Sequence, residues 1–287
     1  MNVYIQSIIL GIVEGLTEFL PVSSTAHLRI TEALMKIPLD DPYWSMYTIV
    51  IQVGAILALC LLFLGRIVDF IRTFPAGEDG KRNWLNHPIS LTLIAFAVTS
   101  GLSLALHKFS EENLEHLNRI ALALLIGGVV MWIVDAWAAR RESSTHDVDE
   151  MSLPQAIWIG LCQTLSAVFP GTSRSMSTIA AGQIAGLDRP AALGFSFLLS
   201  IPTMIAATGW DLVKEVHAGS GAAAHVVMTA DNWIVLFIGT AVSFIVALGV
   251  VEWFLFWVRK HGFTIFAIYR ILLGSALLLW GTKFIGG

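Results

Sequence analysis

Charge is what this sequence has least of. Only 13% of its 287 residues are Asp, Glu, Lys or Arg, against roughly 25% in an ordinary soluble domain. A chain that is 56% hydrophobic, with a mean hydropathy of +0.74, cannot cover its surface with polar groups in water, so a bilayer is the expected solvent. No basic run is present and the pI is near 6.0, which argues against a nucleic-acid partner. Cysteine is scarce too. Cys60 and Cys162 both lie in apolar stretches, and their spacing suits neither a metal knuckle nor a disulfide framework. They read as small core residues. The N-terminus lacks a basic flank and its first apolar run is interrupted by Glu14 and Glu18, so no cleavable signal peptide is expected.

What is present is a series of apolar runs, and a membrane-crossing helix needs ~20 such residues. Six stretches qualify: 46–65, 88–107, 119–138, 192–210, 233–257 and 264–284. Polar stretches separate them at 66–87, 108–118, 139–152, 211–232 and 258–263, and the Gly-, Ala- and His-rich 211–232 reads as an irregular exposed loop. Trp44, Trp84, Trp158, Trp210, Trp233, Trp253, Trp257 and Trp280 fall mostly near span ends, as an interfacial belt would.

Two further apolar regions, 3–36 and 153–186, carry polar residues at their centres. Each reads as helix, break, helix. A broken backbone at membrane depth is tolerated only where protein or a water-filled cavity surrounds it, so both are expected to be re-entrant hairpins. They are also repeats of each other. Pro21 and Pro170 stand 149 apart, and at that offset Gln6 meets Gln155, Ile8 meets Ile157, Gly11 meets Gly160, Leu16 meets Leu165 and Ser24 meets Ser173, while Glu14 falls on Gln163 and Thr17 on Ser166. Three spans between the copies put the second hairpin on the opposite side of the membrane. The expected fold is therefore an all-α polytopic membrane protein with six transmembrane helices and two re-entrant hairpins in an inverted-topology repeat. It forms one domain over 1–287, with halves of about 1–138 and 150–287. Such folds place their site near the midplane, where broken helices meet.

Orientation follows Lys and Arg rather than the net charge of −4. Arg66, Arg72, Lys81, Arg82, Arg140, Arg141, Arg189, Arg259 and Lys260 gather on one side, and Arg29, Lys36, Lys108, Arg119, Lys214 and Lys283 on the other. The first side is expected to be cytoplasmic, with both termini outside.

The breaks hold the candidate chemistry. Glu14 and Glu18 share a helix face, where like charges repel and ionisation in an apolar segment costs at least ~2.5 kcal/mol. A divalent cation, a basic partner or a proton on one carboxyl has to compensate; alternatively, the pair only braces the break. Past Pro21, the hydroxyls of Ser23, Ser24 and Thr25 suit an N-cap, and a fresh helix N-terminus attracts phosphate. His27 lies about one turn on and reads as general base, general acid, nucleophile or packing histidine. In the second break, Thr172, Ser173 and Ser175 surround Arg174, whose planar fork matches phosphate oxygens and whose other reading is a salt bridge to Glu14 or Glu18. Arg270, in the last span, reads as structural or interfacial, with a phosphate role as the alternative.

The run Glu14-Gly-Leu-Thr-Glu18-Phe-Leu-Pro-Val-Ser-Ser-Thr with His27, together with Pro170-Gly-Thr-Ser-Arg174-Ser, resembles the two signature motifs of the BacA-type undecaprenyl-diphosphate phosphatases. The resemblance extends through Phe195-Ser-Phe-Leu-Leu-Ser-Ile-Pro202 and Phe266-Ala-Ile-Tyr-Arg270 and covers essentially the whole chain. It implies a bacterial inner-membrane hydrolase of the cell-wall lipid cycle, linked to bacitracin resistance, that converts undecaprenyl diphosphate to undecaprenyl phosphate. It also implies that Glu14 and Glu18 hold a divalent cation, Mg²⁺ or Ca²⁺, that Ser24 and His27 sit at reactive positions, and that Arg174 binds phosphate. The expected partners are the lipid substrate and membrane lipids, and a homodimer is compatible with them. Two positions depart from the family pattern. Ala26 stands where Gly is usual, and Met176-Ser177-Thr178 where Gly-Ala-Thr is common. If those glycines let backbone approach the diphosphate, the loop here is wider or differently shaped. A transporter built on the same inverted repeat and a non-catalytic lipid-binding scaffold are the rival expectations. The dense hydroxyl cluster favours phosphate over a small ion.

Overall fold

The computed structural model describes residues 2–39, 41–77, 80–106, 117–218 and 228–284, with the backbone alone at 117, 211, 212, 214–218 and 280–284. Lys108 and the 219–227 part of the expected loop lie outside the described residues. The described chain is helical: α1 Val3–Thr17, α2 Ser24–Leu34, α3 Pro42–Leu62, α4 Leu64–Thr73, α5 Pro88–Ala105, α6 Leu117–Ala138, α7 Leu153–Val168, α8 Arg174–Ile184, α9 Arg189–Ala218, α10 Ala230–His261 and α11 Thr264–Phe284. Five of these are long and apolar enough to cross a membrane: α3, α5, α6, α9 over Arg189–Trp210, and α10. In α11 the apolar stretch is Thr264–Leu279. The chain is a multi-pass membrane protein.

Local chemistry sets most helix starts. Asp41 caps α3 ahead of Pro42, and His87 caps α5 ahead of Pro88. Proline suits the first turn because its missing N–H would be unpaired there anyway. Ser152 and Gln155 form a capping box at α7. Two expectations need correction. The stretch 66–87 is not all connector, because Leu64–Thr73 forms the amphipathic helix α4, which buries Phe70. The expected loop from 211 begins as helix, since α9 continues to Ala218.

Both expected breaks are present, and they are built alike. Ser23 begins α2 and Ser173 begins α8, at φ 74° and 72°. These are left-handed conformations that cost a non-glycine residue about 1–3 kcal/mol and survive where surrounding structure imposes them. Each serine hydroxyl accepts from the backbone N–H three residues on, that of Ala26 or Met176. The caps stand 150 apart, not 149. The second break therefore holds one more residue than the first, and Ser24 corresponds to Arg174 rather than to Ser173.

Helices meet through small residues. In lipid no hydrophobic force separates helix from tail, so close backbone packing has to hold them together. A Cβ on Gly11 would lie 2.6 Å from the Gly239 carbonyl oxygen, packing α1 on α10, and one on Gly160 would lie 2.5 Å from that of Ala95, packing α7 on α5. Helix α6 pairs with α11, and α3 with α9 and α10. Asp135 ties the end of α6 to its neighbours. It accepts from Arg189 Nε at 2.7 Å and Nη2 at 3.1 Å, from Gln183 at 3.0 Å and from the Phe263 N–H at 3.1 Å. Of the expected belt, Trp84, Trp158, Trp210, Trp233 and Trp253 are exposed, whereas Trp44 is buried against Tyr43 and Tyr47. The Trp280 side chain lies outside the described residues.

Gly54 supplies a test of the small-residue seams. A Cβ there would lie 2.2 Å from the Thr240 carbonyl oxygen, whereas Gly209 has nothing within 4 Å. Gly54→Ala is expected to destabilise by about 1–3 kcal/mol, seen as a lower Tm in detergent, while Gly209→Ala leaves the Tm unchanged or slightly raised.

Candidate active site

The two breaks meet. Arg174 Nη2, at the first turn of α8, donates to Glu18 Oε1 at 3.1 Å. Ser24 Oγ, at the first turn of α2, donates to Glu18 Oε2 at 2.5 Å. One carboxylate thus holds a hydroxyl with one oxygen and a guanidinium with the other. Ser175 Oγ adds a bond to the Glu18 carbonyl oxygen at 3.4 Å, so the second break also braces the first.

Beside this triad lies a cavity of about 200 Å³. Glu18, Ser23, Ser24, Thr25, Ser173 and Arg174 line it, with Pro170, Gly171 and Ala167. Gln52 of α3, Ser166 of α7, and Thr203, Met204 and Ala207 of α9 complete the wall. Gln52 and Thr203 were not anticipated from the sequence. The only signal for them was a polar residue inside an apolar run, and many such residues merely bond their own helix.

The remaining expected residues sit around the cavity rather than in its wall. Ser175 is buried, and Thr172 offers its carbonyl to Arg270 at 2.8 Å. His27 is engaged at both ring nitrogens. Nδ1 lies 2.7 Å from the Ser23 carbonyl oxygen, Nε2 lies 2.6 Å from the Tyr269 hydroxyl, and the two rings stack. A carbonyl only accepts, so in the neutral ring Nδ1 carries the hydrogen and Nε2 accepts from Tyr269. Ala26 and Met176 pack away from the cavity toward α6. Ala26 is buried with Ile120, Ala121 and Leu124, and the Met176 methyl lies over Gly127. Side chains there fill a helix contact, and neither lines the cavity.

Arg270 is not interfacial. It is fully buried, and its guanidinium donates to the carbonyl oxygens of Pro21 at 3.2 Å, Gly171 at 3.1 Å, Thr172 at 2.8 Å and Ala123 at 3.3 Å. One cation from α11 collects backbone carbonyls from both breaks and from α6.

Glu14 lies one turn before Glu18. It is fully buried, no hydroxyl, amide or guanidinium donor reaches its carboxyl oxygens, and the Glu18 carboxyl is its hydrogen-bonding neighbour. A charge in that state needs a counter-charge or a proton. Among the described residues no group of three or more His, Cys, Asp or Glu gathers as a metal cage. Mg²⁺, however, is commonly held by one or two carboxylates plus substrate phosphate oxygens. The two glutamates fit that mode.

A multi-pass helical membrane protein with an acid, a hydroxyl and an arginine converging on a polar cavity between two broken helices is the class that this geometry defines. A family model described as Bacitracin resistance protein BacA matches residues 7–276, and the chain belongs to that family. An undecaprenyl-diphosphatase of Koribacter versatilis (strain Ellin345) is 57% identical over 286 residues, covering 99% of this chain and 100% of that protein. Those of Caldanaerobacter subterraneus subsp. tengcongensis and Rhizobium etli (strain CIAT 652) are 39% and 41% identical, over 97% and 98% of this chain and 96% and 98% of theirs.

The Arg270 clamp yields a direct test. Lysine keeps the charge but lacks the planar fork. Arg270→Lys is expected to lose at least one buried carbonyl bond, about 1.5–3 kcal/mol, and to lower both the Tm and phosphate release from a polyprenyl diphosphate. An unchanged Tm with unchanged turnover would show that the breaks hold together without the clamp.

Proposed function

We propose that the chain hydrolyses undecaprenyl diphosphate to undecaprenyl phosphate and inorganic phosphate, as a bacterial inner-membrane phosphatase of the cell-wall lipid cycle. The observation that carries this reading is the Glu18 carboxylate held between Ser24 and Arg174 at the cavity wall. A hydroxyl bonded to a carboxylate is a nucleophile beside its base, and a guanidinium next to both is poised for phosphate.

Ser24 Oγ attacks the terminal phosphorus as Glu18 takes its proton. The bond from that phosphorus to the bridging oxygen breaks, and undecaprenyl phosphate leaves with the bridging oxygen. Water then cleaves the phosphoserine, regenerating the hydroxyl and releasing inorganic phosphate. Arg174 exchanges its contact with Glu18 for phosphate oxygens, and amides at the starts of α2 and α8 face the same anion. This follows the general rule that phosphoryl transfer depends on positioning and electrostatics. Glu14 and Glu18 would hold Mg²⁺ or Ca²⁺, which supplies charge neutralisation on the diphosphate. Ser23, Thr25, Thr172, Ser173 and Ser175 shape or brace the phosphate pocket. His27, with both nitrogens taken, holds the Ser23 carbonyl in place.

The topology that suits this chemistry has six spans (α3, α5, α6, α9, α10 and α11) and two re-entrant hairpins (α1–α2 and α7–α8), as an inverted repeat within one domain. Partner exchange supports it: α1 of the first half packs on α10 of the second, and α7 of the second on α5 of the first. Contacts also group the ends of the elements. Arg66 pairs with Asp147, and Arg82 donates to the Met151 carbonyl oxygen, joining loops of the arginine-rich, cytoplasmic side. Tyr4 bonds Asp231, and Tyr43 bonds the Asn232 carbonyl oxygen, joining the starts of α1, α3 and α10 on the outer side. Thr203, Met204 and Ala207 lie past the middle of the apolar Arg189–Trp210 stretch of α9 toward that side, which supports a cavity that opens outward.

In purified protein, Glu18→Ala and Arg174→Ala are each expected to reduce phosphate release at least ~10²–10³-fold while the protein elutes and melts as a folded species. Near-normal release from either would remove the proposed chemistry. A protein that only transports would release no phosphate in detergent at all.

A further inference from the structure

Three arginines outside the candidate active site meet at the arginine-rich end of the fold. A second cavity, of about 280 Å³, lies there between the end of α6, the start of α9 and the end of α10. Arg141, Arg189 and Arg259 line it, with Ser143, Gln183 and Asp188. Arg141 stands in the loop after α6, Arg189 opens α9, and Arg259 is in the last turn of α10.

The acids at this cavity are already engaged. Asp135 holds Arg189 through Nε and Nη2. Asp188 Oδ1 accepts from the Ala191 N–H at 2.8 Å, and its Oδ2 lies 3.1 Å from His146 Nδ1. The exposed Glu142 lines a neighbouring cavity of about 250 Å³ instead. Arg141 and Arg259 have no acid of their own. Among the described residues neither guanidinium forms a hydrogen bond or an ion pair, and Arg141 stacks over the Trp137 ring at 4.4 Å. Three guanidinium groups against the carboxylates of Asp135 and Asp188 leave one positive charge.

The cavity sits at a definite depth. The apolar stretch of α6 ends at Ala138 and that of α9 begins at Arg189, and both residues border it. This is the level at which hydrocarbon gives way to headgroups. Two aromatic–cation pairs mark the same level: Arg141 over the exposed Trp137, and Lys260 at 4.4 Å from the ring centre of the exposed Phe256. Side chains with an apolar body and a charged tip take that position at a membrane edge. Along α6, exposed Ile126, Val130 and Ile133 lead on one helix face to Trp137. Compensation of the helix dipole accounts for a cation in the last turn of α10. It does not require Arg141 and Arg259, from separate segments, to face one cavity.

We infer that this cavity binds the phosphodiester of an anionic phospholipid, seated between Arg141 and Arg259, with its acyl chains along the Ile126–Trp137 face of α6. A guanidinium fork matches phosphate oxygens, and basic pockets between membrane helices recognise acidic headgroups. One phosphodiester cancels the one positive charge. A zwitterionic lipid brings an ammonium to the same arginines. Inorganic phosphate shares the anion chemistry but lacks the chains that hold a lipid at the surface.

The test uses full-length protein in neutral detergent, titrated separately with phosphatidylglycerol, phosphatidylcholine and inorganic phosphate. Tm and native mass spectrometry of retained lipid are the readouts. Phosphatidylglycerol is expected to be retained and to raise the Tm, and the other two to leave it unchanged. Arg141→Gln combined with Arg259→Gln is expected to need at least tenfold more phosphatidylglycerol for the same rise, while melting like wild type without lipid. Arg259→Gln alone, a change at an exposed side chain, is expected to shift the titration the same way and guards against a folding failure of the pair. Arg72→Gln combined with Lys260→Gln removes two cations from the same end but outside the lining, and is expected to titrate like wild type. An equal response to phosphatidylcholine overturns the headgroup site. An equal rise with inorganic phosphate makes the site one for the free anion and overturns the lipid. Equal losses in the two double variants reduce the effect to diffuse surface charge and overturn the cavity.

Discussion

A helix broken among apolar helices frees carbonyls and amides that lipid cannot bond, and this protein has two such breaks. Everything else in the site depends on how those groups are satisfied. Arg270 takes the carbonyls of Pro21, Gly171 and Thr172 from beneath, while Ser23 and Ser173 cap the helices that restart. With backbone demands met this way, the side chains between the breaks are left for chemistry. Glu18 and Arg174 come from segments 156 residues apart, and they meet because one buried cation gathers both loops.

The two halves share a backbone and divide the chemistry. Each break has the same left-handed serine cap, and the residue after it is Ser24 in one and Arg174 in the other. Four residues past the cap, His27 reaches back to the Ser23 carbonyl, and Ser177 reaches back to that of Ser173. The first half supplies Glu18, Ser24 and His27; the second supplies the Arg174 guanidinium.

Much of this was legible in the chain itself. Low charge and long apolar runs specify a membrane protein, because only helices or closed barrels satisfy their backbones in lipid. Polar residues in mid-run mark the breaks, since Glu14, Glu18 and Arg174 are costly in an unbroken lipid-facing helix. Other features had no such signature. The amphipathic α4 reads as connector because its charges hide a short buried face at Phe70. Gln52 and Thr203 look like any polar residue in a span until the cavity is seen. The one-residue shift between the breaks is invisible to an ungapped match, because either register places a serine near the turn.

By itself, then, the sequence determined the solvent, the long apolar helices and the candidate site side chains, because hydropathy and hydrogen-bond capacity are properties of residues. Only the tertiary structure decided which of them touch. That Glu18 faces both Ser24 and Arg174, that Arg270 is a buried clamp, and that His27 is occupied at both nitrogens are consequences of how α11 and the two breaks pack. Spacing along a chain sets neighbours within a helix; which helix stands opposite is set by close contact at small residues such as Gly11, Gly54 and Gly160, whose partners lie far away in sequence.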